Sequence, residues 1–248
     1  MLNTLIIEIP YGGLGDHLFH SHLPRIAKIT GKYDKVYISN KSLYRHLDNK
    51  LIIWELNPYV DGFIDKPGKT CDLKNILSNI KTVSNLLDEI MCFYDLDDGT
   101  RMHEPEIYYN PIFIKEYNKI IFDPNYLSWV GKIDKEDMMW FLKKRNYSFE
   151  AIMKIRTEKV LYIPKPNDLF IETPTLQDFC DLIYSSKELF CLTSGTATLA
   201  AAIGKPAIVF YGANQGKGFR HSKMHQYILI PKNPFNRILR KFKKNIAR

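Results

Sequence analysis

The sequence predicts an α/β fold built on parallel sheets, and three observations carry that prediction. The stretch Cys191-Leu-Thr-Ser-Gly-Thr-Ala-Thr-Leu-Ala-Ala-Ala-Ile-Gly-Lys-Pro-Ala-Ile-Val-Phe-Tyr-Gly212 reads as strand, turn, short helix, turn, strand. Residues 2–39 read as strand, glycine-rich loop, helix, strand. A second series of short apolar runs alternating with helical periodicity starts near residue 119.

In chain order, residues 2–9 form a buried-type strand. Pro10-Tyr11-Gly12-Gly13-Leu14-Gly15-Asp16 is a loop whose glycines let backbone approach a ligand. Leu18, Leu23, Ile26 and Ala27 then recur at near-helical spacing, so residues 17–29 are expected to be one helix before a strand at 33–39. The loop is not the dinucleotide fingerprint, because Leu18 stands at its third glycine position, and no Gly-Lys-Ser/Thr follows to make a P-loop. Residues 41–49 are expected to be helical and 51–56 extended, with a turn at Asn57-Pro58 before a short strand at 63–65. One or two helices fit 74–90, and another strand fits 91–95. The acidic, then tyrosine-rich stretch 96–111 has no clear pattern.

In the second half, strands are expected at 119–122, 159–163 and 169–172, with a helix at 135–145. A helix at 175–184 is capped by Thr173 or Thr175 ahead of Asp178. Residues 188–192 are short and apolar, as a buried parallel strand requires. Thr193-Ser194-Gly195-Thr196 starts a small-residue helix that Gly204-Lys205-Pro206 stops. Strands follow at 207–211 and 226–230. Residues 235–248 form a basic amphipathic helix, a pattern suited either to anionic lipid or to packing across the molecule. The organisation expected is two Rossmann-like domains, 1–115 and 116–248, facing a central cleft.

Composition narrows the class. The chain has 248 residues, 45% apolar and 25% charged, as a soluble globular protein does. It lacks a run of about 18 apolar residues, so no spanning helix is expected. Glu8 interrupts the apolar N-terminus, which reads as a strand and not as a signal peptide. Four cysteines without Cys-x-x-Cys spacing fit a reducing, cytoplasmic setting. A net charge of +8 suits anionic substrates or a membrane surface, and no nucleic-acid motif accompanies it. The helix after residue 192 offers free N–H groups and partial positive charge beyond a strand end, a place for a phosphate or simply a capped helix of a βαβ unit.

Two motifs together resemble glycosyltransferase family 9, the heptosyltransferases of GT-B fold. Gly13-Leu14-Gly15-Asp16-His17-Leu18 is similar to that family's Gly-Leu-Gly-Asp-x-Leu loop. Thr193-Ser194-Gly195-Thr196-Ala197-Thr198-Leu199-Ala200-Ala201-Ala202-Ile203-Gly204-Lys205-Pro206 resembles its donor loop, with Val209-Phe210-Tyr211-Gly212 as the strand and turn after it. Asn57-Pro58-Tyr59-Val60-Asp61 resembles a further family segment. The likeness covers about a third of the chain. Thr193 stands where the family has Asp, and Thr198 where it has His.

The resemblance implies an inverting sugar transfer from a nucleotide-diphosphate sugar, such as a heptose donor, to a bacterial surface-glycan or lipid-linked acceptor, without a metal or other cofactor. The acceptor would lie against the N-terminal domain and the donor nucleotide on the C-terminal one. Such transfer needs a base for the acceptor hydroxyl and cationic or N–H groups for the departing diphosphate. Asp16 is the expected base, with His20 next, and helix capping is Asp16's alternative role. Gly13, Gly15, His17 and Arg25 are expected on the acceptor side. Thr193, Ser194, Gly195, Thr196 and Thr198 are expected at the phosphates, with Lys165 and Lys217 neutralising charge and Glu172 at ribose hydroxyls. His17, His20 and His22 are close in sequence, but His22 falls on another helix face, so a metal site is not expected. Two other activities fit the same fold: a sugar-nucleotide epimerase or hydrolase, and a non-catalytic sugar-nucleotide-binding subunit. The expected location is the cytoplasm, peripheral to the inner face of the membrane.

Overall fold

In the computed structural model, which describes residues 2–78, 84–156 and 158–234, the chain forms two parallel sheets. The first is built from β1 (Thr4–Glu8), β2 (Lys35–Ser39), β3 (Gly62–Ile64) and β4 (Lys69–Thr70). Its order is β3-β2-β1-β4. Leu5, Ile7 and Ile9 alternate inward from β1 and are buried against Val36 and Ile38 of β2. The short helices α1 (Leu14–Leu18), α2 (Leu23–Ile29), α3 (Leu73–Ser78) and α4 (Leu86–Phe93) cover this sheet.

The second sheet comprises β5 (Ile120–Asp123), β6 (Ala151–Met153), β7 (Phe170–Ile171), β8 (Glu188–Leu192), β9 (Ile208–Tyr211) and β10 (Gln226–Leu229). Its order is β10-β9-β8-β5-β6-β7, the doubly wound order of a dinucleotide fold. Helices α5 (Lys135–Lys144), α6 (Leu176–Ser185) and α7 (Gly195–Ile203) flank it. Thr175 settles the capping of α6: its Oγ1 accepts the Asp178 N–H at 3.1 Å and its N–H donates to Asp178 Oδ2 at 3.0 Å. Gly204 ends α7 in the left-handed region, φ +78°. Phe122, Phe190 and Phe210 from three neighbouring strands pack together on one face.

Several elements differ from the expectations. The helix expected over 17–29 is two helices, because Pro24 lacks an N–H and the chain turns at Phe19–His22. Of the helix expected over 41–49 only Asp48 and Asn49 are helical, the rest being turn, bend or irregular, and the expected strand at 51–56 is a π-helix, Lys50–Glu55, with Ile52, Ile53 and Trp54 wholly buried. Met91 to Phe93 end α4 and form no strand. The expected strand at 159–163 is a single bridge, Val160 to Asn125, and the sheet takes the three-residue β6 instead. The basic helix expected at 235–248 lies outside the described residues. No helix among the described residues is long and apolar enough to cross a membrane.

Candidate active site

In a parallel sheet, ligands bind beyond the C-terminal strand ends where the strand order reverses direction. Those points are the loop after β1 in the first sheet and the loops after β5 and β8 in the second. All three open on one cavity of about 1040 Å³ between the sheets. Its first wall is Pro10 to Asp16, with Arg45, His46, Asp48 and Asn49 beside it. The facing wall is Asp123, Asn125 to Val130, Arg156, Thr173 to Leu176 and Thr193 to Thr196.

The N-terminal ends of α1 and α7 meet across this cleft. A Cβ placed on Gly195 would stand 3.3 Å from Leu14 Cβ and 3.4 Å from the Gly15 nitrogen. Gly195 therefore packs the two helices closely while also lining the cavity. Asp48 ties the same two walls by accepting the Leu176 N–H at 3.0 Å.

Asp16 is the third residue of α1, and its Oδ2 accepts the Gly13 N–H at 3.1 Å. Burial pushes its carboxyl above the ordinary 3.8, against the pull of that N–H and of Arg45. A cleft-wall carboxylate made more basic by desolvation is suited to accept a proton.

On the facing wall, the hydroxyls of Thr193 and Ser194 are buried, and neither has a hydrogen-bond partner among the described residues. Both residues line the cavity at the start of α7, whose first N–H groups are unsatisfied by the helix itself. Thr196 donates to Asp123 Oδ2, while Asp123 Oδ1 accepts the backbone and side-chain N–H groups of Asn125 at 3.0 and 2.7 Å. Thr198 lines the cavity and its hydroxyl bonds the Ser194 carbonyl at 3.3 Å. Arg156 brings a cation to this wall: it donates to the carbonyl of Thr173 at 3.0 Å and to its hydroxyl, and its guanidinium lies 5.6 Å from the Phe179 ring centre. The site thus offers a carboxylate on one side and unpartnered hydroxyls, helix N–H groups and a guanidinium on the other.

Gly13, Gly15, Asp16, Thr193, Ser194, Gly195, Thr196 and Thr198 all line this cavity, and six other expected residues do not. His17 is buried, donates through Nε2 to the Leu43 carbonyl at 2.8 Å and accepts the Trp54 indole N–H at 3.0 Å, and burial lowers its pKa to about 4. It holds the 43–54 segment against α1. His20 is equally buried, donates through Nδ1 to the Asp16 carbonyl at 2.8 Å, and burial lowers it to about 4 as well. It steadies Asp16 from behind and does not reach the cavity. Arg25 is paired to Glu106 at 2.6 Å, and that bond raises its pKa. Glu172 pairs with Lys154 at 2.7 Å on the surface, Lys165 belongs to an exposed turn with Asp168, and Lys217 is exposed on a 3-10 turn. Among the described residues no group of three or more His, Cys, Asp or Glu is placed to hold a metal.

Sequence reasoning missed Arg156, Arg45 and Asp123. For Arg156 a signal was present: it follows the short apolar run Ala151-Ile-Met153, which forms β6. Arg45 and Asp123 depend on contacts between segments distant in sequence.

No protein-family model matches the chain, and no curated protein matches it in sequence. Solved structures do match in fold. The iron-containing dodecameric glycosyltransferase TibC of enterotoxigenic E. coli superposes with a TM-score of 0.57 at 16% identity, over 90% of this chain and 62% of that one. The chain thus spans less than two thirds of TibC. A family 9 glycosyltransferase of Veillonella parvula gives 0.57 at 10% identity, over 98% and 89% of the two chains. The E. coli heptosyltransferase WaaC, solved with ADP, gives 0.55 at 10% identity, over 98% and 100%. With its two parallel α/β sheets on either side of one cleft, the chain has the GT-B fold of these glycosyltransferases.

Proposed function

We propose that the chain is a glycosyltransferase of the family 9 kind, with residues 1–115 as acceptor-side domain and 116–248 as donor domain. It moves a sugar, with heptose the first to test, from a nucleotide-diphosphate donor to a bacterial surface-glycan acceptor. The observation that carries this reading is the pairing of Asp16 with the unpartnered Thr193 and Ser194 hydroxyls across one cleft. Asp16 takes the proton of the acceptor hydroxyl as that oxygen attacks the sugar's anomeric carbon. The bond to the diphosphate breaks, and the departing charge meets the α7 N–H groups, the two hydroxyls and Arg156. Attack from the side opposite the leaving group inverts the anomeric centre. No step is assigned to a metal, although TibC contains iron. The structure of TibC with ADP-D-β-D-heptose supports trying an ADP-linked donor first. The protein would work at the inner face of the membrane, with the basic segment 235–248 as one contact.

The test is release of nucleoside diphosphate from candidate donors, with and without acceptor glycans. Acceptor-dependent release with transfer of the sugar is the expected result. Donor consumption without acceptor would make the chain a hydrolase or epimerase. Donor binding with no turnover across acceptors would make it a binding subunit.

A further inference from the structure

A line of hydrogen bonds runs along the C-terminal edge of the second sheet, and one buried carboxylate anchors it. Asp123 ends β5 and is 4% exposed. Its Oδ2 accepts the hydroxyl of Thr196, in the first turn of α7. Its Oδ1 accepts the backbone and side-chain N–H groups of Asn125 at 3.0 and 2.7 Å. Asn125 carries the line onward past β6. Its Nδ2 also donates to the Lys154 carbonyl at 3.1 Å, and its Oδ1 accepts the Arg156 N–H at 3.1 Å. Arg156 then reaches past β7, where its guanidinium donates to the Thr173 carbonyl at 3.0 Å. Strands β8, β5, β6 and β7 are neighbours in that order. The bonds therefore cross the strand ends from the start of α7 to the Arg156 side chain. Asp123, Asn125, Arg156, Thr173 and Thr196 all line the cleft.

By charge alone, a carboxylate is a poor neighbour for a diphosphate. Its bonds give it another use. A carboxylate only accepts, so the Thr196 hydroxyl turns its one proton to Asp123 and has none for a phosphate. Thr193 and Ser194, unpartnered among the described residues, keep theirs for the cleft. We propose that Asp123 is a positioning residue of the donor subsite. Through Thr196 it fixes the start of α7, and through Asn125 it fixes the backbone of Arg156, so both anion-binding groups are in place before the nucleotide arrives. Thr196 belongs to this brace and is not itself a phosphate donor. The role rests on the transferase reading, because the ligand it serves is the donor's diphosphate. The test is calorimetric titration of ADP, GDP and UDP into wild type, Asp123→Asn, Arg156→Met and the double variant, with a thermal melt of each. Asn keeps the volume of Asp, removes the negative charge and cannot accept all three bonds. Charge alone would make Asp123→Asn bind an anion more tightly, whereas loss of the brace should weaken binding about tenfold. Because Asp123 acts partly through Arg156, the double variant should lose several-fold less than the product of the two single losses; a merely structural role gives the full product. Binding in Asp123→Asn that is unchanged or tighter, or losses that multiply in full, overturns the role while leaving the donor site standing. Wild type that binds none of the three nucleotides overturns the donor site and this role with it. If Asp123→Asn does not fold, Thr196→Val breaks the brace from its other end, and wild-type affinity in that variant overturns the proposal.

Discussion

Replacing Asp16 by Asn separates a proton acceptor from a helix cap. Asn keeps the size of the side chain and an oxygen that can accept the Gly13 N–H now held at 3.1 Å. Loss of a cap altogether costs only about 1 kcal/mol, and here the cap is conserved. The charge is what disappears. Burial already raises the Asp16 pKa, so its ionised form is the costly one in the folded protein. For a carboxyl raised in this way, the contribution to stability is whole below its unfolded value and is lost as pH rises through the folded value. At neutral pH Asp16→Asn should therefore hold or slightly raise the melting temperature. Turnover at saturating donor and acceptor should fall by roughly 10²–10⁴-fold, the usual worth of a positioned base, or about 3–5 kcal/mol of barrier. Wild-type turnover should fall on the acid side with a midpoint above 3.8, and the variant should lack that limb. The assay is initial-rate nucleotide release from pH 4 to 8, beside a melt of each protein. Near-wild-type turnover in Asp16→Asn, with the acid limb intact, would refute the assignment. His20 does not then take its place, since it is buried behind Asp16.

Other substitutions test the remaining contacts. Arg156→Met should weaken nucleoside diphosphate binding by roughly 10–150-fold, the loss of one charge-assisted contact, while Lys165→Met should change it less than about twofold; calorimetric titration of both decides which cation faces the phosphates. Gly195→Val should destabilise the protein by about 1–3 kcal/mol by wedging α7 from Leu14 and Gly15, and an unchanged melting temperature would count against that packing. The buried pair of His103 and Asp88, at 2.7 Å, should give a pH window of stability. The bond to Asp88 raises His103 above 6.5 against burial, so its contribution is whole below 6.5 and lost as pH rises through the raised value. Burial would raise Asp88, but bonds from the His103 side chain and from main-chain N–H groups bring it to about 2, so its contribution is whole above 3.8 and lost as pH falls towards 2. His103→Gln should flatten the decline in melting temperature from pH 6 to 8, and parallel declines would contradict the pairing.

What could be read from the sequence was what local chemistry determines. The β8–α7–β9 unit was legible because an apolar run, a hydroxyl- and glycine-rich turn, small helical residues and Gly204-Lys-Pro206 each act within a few residues. The loop at Gly13 to Asp16 was legible for the same reason. The π-helix was not, because Leu51-Ile-Ile-Trp54 is apolar throughout, and a short apolar run has no period to tell a strand from a helical turn. Its Trp54 also decides the fate of His17, whose ring is taken up by that indole and by the Leu43 carbonyl. Arg156 was hard to read because β6, which places it, has only three residues. Asp123 is held by Thr196, 73 residues away, a relation no local pattern encodes.

The central claim is that the start of α7 holds the diphosphate of a sugar nucleotide, and titration calorimetry with ADP, GDP and UDP tests it most directly. Each is titrated into wild type and into Thr193→Val/Ser194→Ala, which removes the two buried hydroxyls without adding volume to the core. One of the three nucleotides should bind wild type, and the double variant should bind it about tenfold or more weakly at unchanged melting temperature. Binding of none of them, or equal affinity in the two proteins, would contradict the assignment of this cleft.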